Sequence, residues 1–157
     1  MGKIIAMAQH KGGVGKTSDS INIAAVLAKK GKKVLLVDND MQASLTVGVG
    51  IDPREDHLTV ADLYQGKPAK DIIIHTDYEN YDVLPASMRL ALTEAEFLKG
   101  RYDVLKNALS KIKKDYDYVI IDCPPNFTAA SVAAVIAAEY SPAIPDELAR
   151  LGAQFID

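Results

Sequence analysis

The sequence holds no tryptophan, three phenylalanines and a single cysteine, Cys123. One cysteine excludes a disulfide framework within the chain and points to a reducing compartment. His10, His57 and His75 lie in separate regions, so with one cysteine they make no metal-ligand spacing. No apolar run approaches the length of a membrane span, and the N-terminus lacks a leader pattern. Met1-Gly2 begins like a myristoylation site, but position 6 is Ala6 rather than Ser or Thr. A cytoplasmic protein with no membrane partner is the expectation. Strong charge is missing too. A net charge of -3 gives no general drive towards nucleic acid. The length of 157 residues suits one domain with a sizeable core.

What is present is concentrated in Gln9-His10-Lys11-Gly12-Gly13-Val14-Gly15-Lys16-Thr17. An apolar run over residues 3–8 precedes it and reads as a buried strand. Residues 18–30 follow and read as a helix, with Asp19 in the first turn, Lys29 and Lys30 in the last, and Gly31 as its C-terminal cap. Strand, glycine-rich loop and helix in that order make a phosphate site. The glycines let backbone N–H groups converge on phosphate oxygens, and the helix adds its own unpaired N–H groups. Lys16 would reach the β- and γ-phosphates, and the Thr17 hydroxyl would sit on Mg²⁺. The loop departs from the common pattern: His10 stands where a glycine is usual, and a second lysine, Lys11, follows it.

Residues 33–38 read as a second buried parallel strand, completing a βαβ unit. It ends in Asp38-Asn39-Asp40, where open α/β sheets place their chemistry. An acid-rich turn without function reads the same way. Residues 59–64 suit a short helix capped by Thr59, residues 72–74 and 81–84 suit short strands, and residues 91–98 suit a helix ended by Gly100. Residues 102–114 form an amphipathic helix with Leu105, Leu109 and Ile112 on its apolar face. Lys111, Lys113 and Lys114 lie near Tyr116 and Tyr118, and a solvated helix end explains them better than nucleic-acid contact. Residues 118–122 read as a buried strand ending in Asp122, an acid placed to hold Mg²⁺ downstream of a phosphate loop. Cys123 reads as a partly buried, inert residue, and residues 128–138 as a small-residue helix. Two prolines allow residues 141–145 at most an edge strand, and residues 146–155 suit a last helix.

The loop KGGVGKT, with a lysine at its start, resembles the deviant Walker A motif of the ParA/Soj/MinD family of P-loop ATPases. VLLVDND, the LPAS loop after Val83, and YDYVIIDCPP resemble that family in the same order and spacing. The resemblance covers residues 3 to about 138. It implies an α/β fold, a mostly parallel sheet with helices on both faces, in a P-loop NTPase core of the SIMIBI type. It also implies ATP with Mg²⁺ and ATP-dependent homodimerisation. By resemblance, Lys11 is the signature lysine that reaches the partner's nucleotide, with Lys16 and Asp40 as the other catalytic residues. Lys11, Gly12, Gly13, Val14, Gly15, Lys16, Thr17 and Ser18 would bind nucleotide. Thr17, Asp38 and Asp122 would surround the metal, and Asp40 would position the attacking water.

Three departures from the family pattern stand out. Met41 replaces the usual proline after Asp40, which leaves that loop less fixed. Asp19 places an acid where small neutral residues are usual. The chain, residues 1–157 as one domain, lacks the strands and helices with which relatives continue, so an open sheet edge is expected. The function implied is an ATP-hydrolysing dimerisation switch that partitions or positions DNA or other cargo, with a ParB-like activator and nonspecific DNA as partners. The alternatives are a nucleotide-binding interaction module with little hydrolysis, and a MinD-like positioning ATPase. For the latter, residues 146–157 are short and acidic for a membrane anchor.

Overall fold

The computed structural model describes residues 2–7, 16–97, 100–125 and 128–139. Its strands are β1 (Lys3–Met7), β2 (Val34–Asp38), β3 (Ile74–His75), β4 (Tyr81–Leu84) and β5 (Tyr118–Asp122). They form one sheet in the order β1-β5-β2-β4-β3. The four longer strands are parallel, and the two-residue β3 pairs antiparallel with β4. The fold expected from the sequence is therefore the one observed, with a detail no local pattern contains: β5 inserts between β1 and β2. That insertion sets Asp38 directly across the ladder from Asp122.

The parallel strands are apolar on both faces because both are covered. Ile4, Ala6, Leu35, Val37, Val119 and Ile121 face one layer. It contains α3 (Val60–Tyr64), α4 (Ala69–Ile72), α5 (Arg89–Phe97), α6 (Val104–Ser110) and α7 (Ala129–Ala137). Ile5, Met7, Val34, Leu36, Val83 and Ile120 face the other, made by α1 (Lys16–Lys29) and α2 (Ser44–Gly48). Alternate residues thus go to opposite cores, as the strand period of two requires. Helix α7 lies close on the sheet through Ala130, Ala133, Ala134 and Ala137.

Local signals explain most helix ends. Gly31 closes α1 with φ of 84°, a left-handed conformation that suits glycine, and its N–H bonds the Ala28 carbonyl. Thr59 caps α3 in a reciprocal capping box: its hydroxyl accepts from the helix backbone, and Asp62 accepts the Thr59 N–H at 2.7 Å. Arg89 of α5 braces this cap by pairing with Asp62 at 2.8 Å. Thr59→Ala should lower stability by about 1 kcal/mol, read as a lower urea midpoint. An unchanged midpoint would show the box to be redundant with the Arg89 brace.

Several elements differ from expectation. Ile72 ends α4 instead of opening a strand, because Pro68 starts a helical turn at Ala69. Helix α6 stops at Ser110, whose hydroxyl turns back onto the Asn107 carbonyl at 2.8 Å. A 3₁₀ turn, Lys113–Asp115, follows, and the Lys113 carbonyl accepts the Gly2 N–H. A Cβ on Gly2 would strike the carbonyls of Lys113 and Tyr116, so only glycine fits there. On α1, Ile21, Ala24 and Ala28 recur at helical spacing and pack with Leu27 against the sheet, while Ala25 is exposed. Cys123 is fully buried. On the far side of β1, the Glu139 N–H reaches the Ile4 carbonyl at 2.9 Å, so the chain leaving α7 meets that edge. The edge strand and last helix expected beyond residue 140 lie outside the described residues.

Candidate nucleotide site

The carboxyl ends of β2 and β5 carry Asp38 and Asp122, and α1 begins beside them. The Thr17 hydroxyl in the first turn of α1 donates to Asp122 Oδ2 at 2.7 Å. Ser20, one turn further on and buried, donates to Asp122 Oδ1 at 3.4 Å. Two residues more than a hundred positions away in sequence thus meet the strand-end acid, as the order strand, loop, helix anticipates.

Asp38 is fully buried and receives three donors. Thr46 N–H and Thr46 O–H reach its Oδ2 at 2.9 and 2.6 Å, and the Asp40 N–H reaches Oδ1 at 3.2 Å. Burial pushes its carboxyl up to about 7; the Thr46 bonds pull it down and the Asp122 charge adds to the rise. Thr46 Oγ1 in turn accepts the Ala86 N–H at 2.9 Å, which ties the loop after β4 to the same acid.

Asp40 is half-buried, and its Oδ1 accepts the Gln42 N–H at 3.0 Å. The Ala43 N–H bonds the Asp40 carbonyl at 2.9 Å. These two bonds close the turn around Met41. Ala43 leaves it in the left-handed region at φ 55° and ψ 32°, an alanine held in a strained conformation beside the acid.

Asn39, between the two acids, is buried and is bonded through its amide nitrogen, its amide oxygen and its backbone N–H. Its Nδ2 donates to the Ala130 carbonyl at 2.7 Å, and its Oδ1 accepts from the Tyr64 hydroxyl at 2.8 Å. Its backbone N–H bonds the Asp122 carbonyl at 2.9 Å. Glu94 of α5 faces the same region. Burial raises its pKa and the nearby Asp40 charge adds to the rise, while Thr128 and the Ala130 backbone pull it down.

The structure therefore brings together Thr17, Asp38, Asp40 and Asp122, with Ser18 exposed at the start of α1. Lys16 opens the helix. Lys11, Gly12, Gly13, Val14 and Gly15 lie outside the described residues. Sequence reasoning missed Ser20, Asn39, Thr46, Tyr64 and Glu94. Ser20 had a signal, since it stands three residues after Thr17 on the same helix face.

A family model described as an AAA domain matches residues 2–156. The chain belongs to this family, in its ParA/Soj branch. It is 46% identical over 142 residues to the sporulation initiation inhibitor protein Soj of Bacillus subtilis, covering 88% of this chain and 56% of that protein. It is 37% identical to the chromosome partitioning protein ParA of Caulobacter vibrioides, over 87% of this chain and 53% of ParA. Among solved structures, it is similar to Mycobacterium smegmatis cobyrinic acid a,c-diamide synthase with bound ATP analogue and magnesium. That match has a TM-score of 0.85 and 38% identity, over 90% of this chain and 59% of the other. Apo McdA of Cyanothece matches at a TM-score of 0.86 and 27% identity, over 99% of this chain and 65% of McdA. The chain spans about half the length of the curated relatives it matches. Among the described residues no helix is long and apolar enough to cross a membrane.

Proposed function

We propose that this chain is the core, a single domain, of a ParA-type ATPase: it binds ATP with Mg²⁺, dimerises face to face and hydrolyses the γ-phosphate bond. The reading is supported above all by the Thr17–Asp122 bond, which joins the head of the loop-following helix to the strand-end acid at the sheet's carboxyl edge. Lys16 binds the β- and γ-phosphates, and residues 11–15, with Ser18, line the phosphate cradle. Lys11 reaches the partner's nucleotide, and Asp40 positions the attacking water.

The donor set fits magnesium. Mg²⁺ takes one or two carboxylates and completes its shell with water and phosphate oxygens. Here the donors are the Asp122 carboxylate, the Thr17 hydroxyl and, nearby, Asp38. Thr17 gives its hydrogen to Asp122, which leaves oxygen lone pairs for a cation. Bound there, the ion would neutralise charge on the phosphates.

In the cell, this reading makes the protein a cytoplasmic switch for partitioning or positioning DNA or other cargo. Its partners would be a ParB-like activator and nonspecific DNA. The test is to size the protein with ATP, with ADP and without nucleotide, beside Lys16→Ala. ATP-specific dimers in the wild type alone are expected. A constant monomer would retire the shared site, and a Lys16→Ala variant that binds ATP like wild type would retire the phosphate site itself.

A further inference from the structure

Ala130, in the first turn of α7, is gripped from outside its helix: Asn39 Nδ2 donates to its carbonyl at 2.7 Å. The Tyr64 hydroxyl of α3 holds the other end of the same amide at 2.8 Å. Helix α3 is in turn braced by the pairing of its Asp62 with Arg89 of α5. Asn39 and Tyr64 are both buried, and a buried amide paired at both ends holds one arrangement, because an alternative leaves a buried donor or acceptor unpaired.

Resting on the function proposed above, we propose that Asn39 and Tyr64 are positioning residues that lock the first turn of α7 to the segment carrying Asp38 and Asp40. Asn39 is suited to this by place. Its backbone lies between the two acids and bonds the carbonyl of Asp122, while its side chain holds α7. A shift of α7 at its first turn therefore pulls on the acids on both sides of Asn39. The Ala130 carbonyl can only accept, so it sets Nδ2 towards α7, and the Tyr64 hydroxyl donates to Oδ1 and holds the other end of the amide. The Tyr64 ring is itself buried in the α3 core, so its hydroxyl is a fixed post. Through it, α3 and its cap become part of the machinery that aims Asp40, although neither approaches the phosphate loop in sequence.

Tyr64→Phe removes only the hydroxyl, and Asn39→Leu removes the whole polar link. With nucleotide, Tyr64→Phe should lower kcat about ten- to a hundredfold, as small misplacements near a reacting centre do. The affinity for a fluorescent ATP analogue should stay within about twofold, because no phosphate contact is touched. The double variant should be little worse than the worse single, since both act through one link. Without nucleotide, hydrogen exchange over residues 129–134 should quicken in either variant while the β-strands stay protected. Unchanged exchange at α7 would overturn the proposal, as would turnover and affinity falling together in step with the folded fraction. Failure of the proposed ATPase function would show in the wild type as absent ATP binding, whereas failure of this inference shows only in the variants.

Discussion

Asp40→Ala should reduce ATP turnover at least about a hundredfold while leaving nucleotide affinity within a few-fold of wild type. The scale follows from what a positioned acid contributes at a reacting water, about 10²–10⁴ in rate. The local geometry says why the loss should fall on kcat. Asp40 is half-buried, its carboxylate is held by the Gln42 N–H, and its backbone carbonyl by the Ala43 N–H. It makes no side-chain bond to Thr17 or Asp122 among the described residues, so its removal leaves that pair standing. Alanine also keeps the backbone N–H that bonds Asp38. Substrate binding and the burial of Asp38 are thus preserved while the water loses its anchor. Single-turnover hydrolysis beside equilibrium binding separates the two quantities. Turnover within threefold of wild type would remove Asp40 from the reaction, and a parallel loss of binding would make it part of the phosphate cradle instead.

Much of this site is visible in the sequence because its parts are local. A strand, a loop and a helix in succession are set by periodicity and glycine placement over thirty residues. Asp38 and Asp122 each end an apolar run, and strand ends in parallel sheets share one edge of the molecule. The relation between the two acids is another matter. That they sit directly opposite depends on β5 entering between β1 and β2, and strand order is decided by packing of the whole chain. Thr46 is hidden for a related reason. It lies on α2, a five-residue helix too short to show a helical period, and it reaches back eight positions to Asp38. Asn39 looks like a spacer between two acids until Tyr64 and Ala130 arrive, 25 and 91 positions away. The short β3 fails for want of length: two residues carry no period, and Ile72, Ile73 and Ile74 resemble a strand equally well.

Asp38→Asn should reverse its rank against wild type between pH 4 and pH 8 in metal-free protein. In the unfolded chain the Asp38 carboxyl titrates in the ordinary range, near 3.8, and in the fold it is pushed up to about 7. The folded state therefore holds this proton more tightly than the unfolded state does. The stability tied to it is fully present below pH 4 and is lost as pH rises through 7. By linkage the whole loss is on the order of 4 kcal/mol. Asparagine has no such titration, so its stability carries no penalty at pH 8. It has a different, pH-independent cost. Its carbonyl can accept both Thr46 donors, but its amide then faces the Asp40 N–H, donor against donor. One such mismatch costs about 1–3 kcal/mol. At pH 4, where little of that stability has yet been lost, the protonated wild-type carboxyl should therefore be the more stable, and at pH 8 the variant should match or exceed it. Urea unfolding with chelator at the two pH values reads the crossing directly; a constant difference would show that Asp38 keeps one protonation state throughout. Adding Mg²⁺ at pH 8 sharpens the test, because a nearby cation favours the ionised acid and binding to the folded state alone adds stability. The wild type should then recover stability that the variant does not, placing the cost of the buried charge and its use in the same residue.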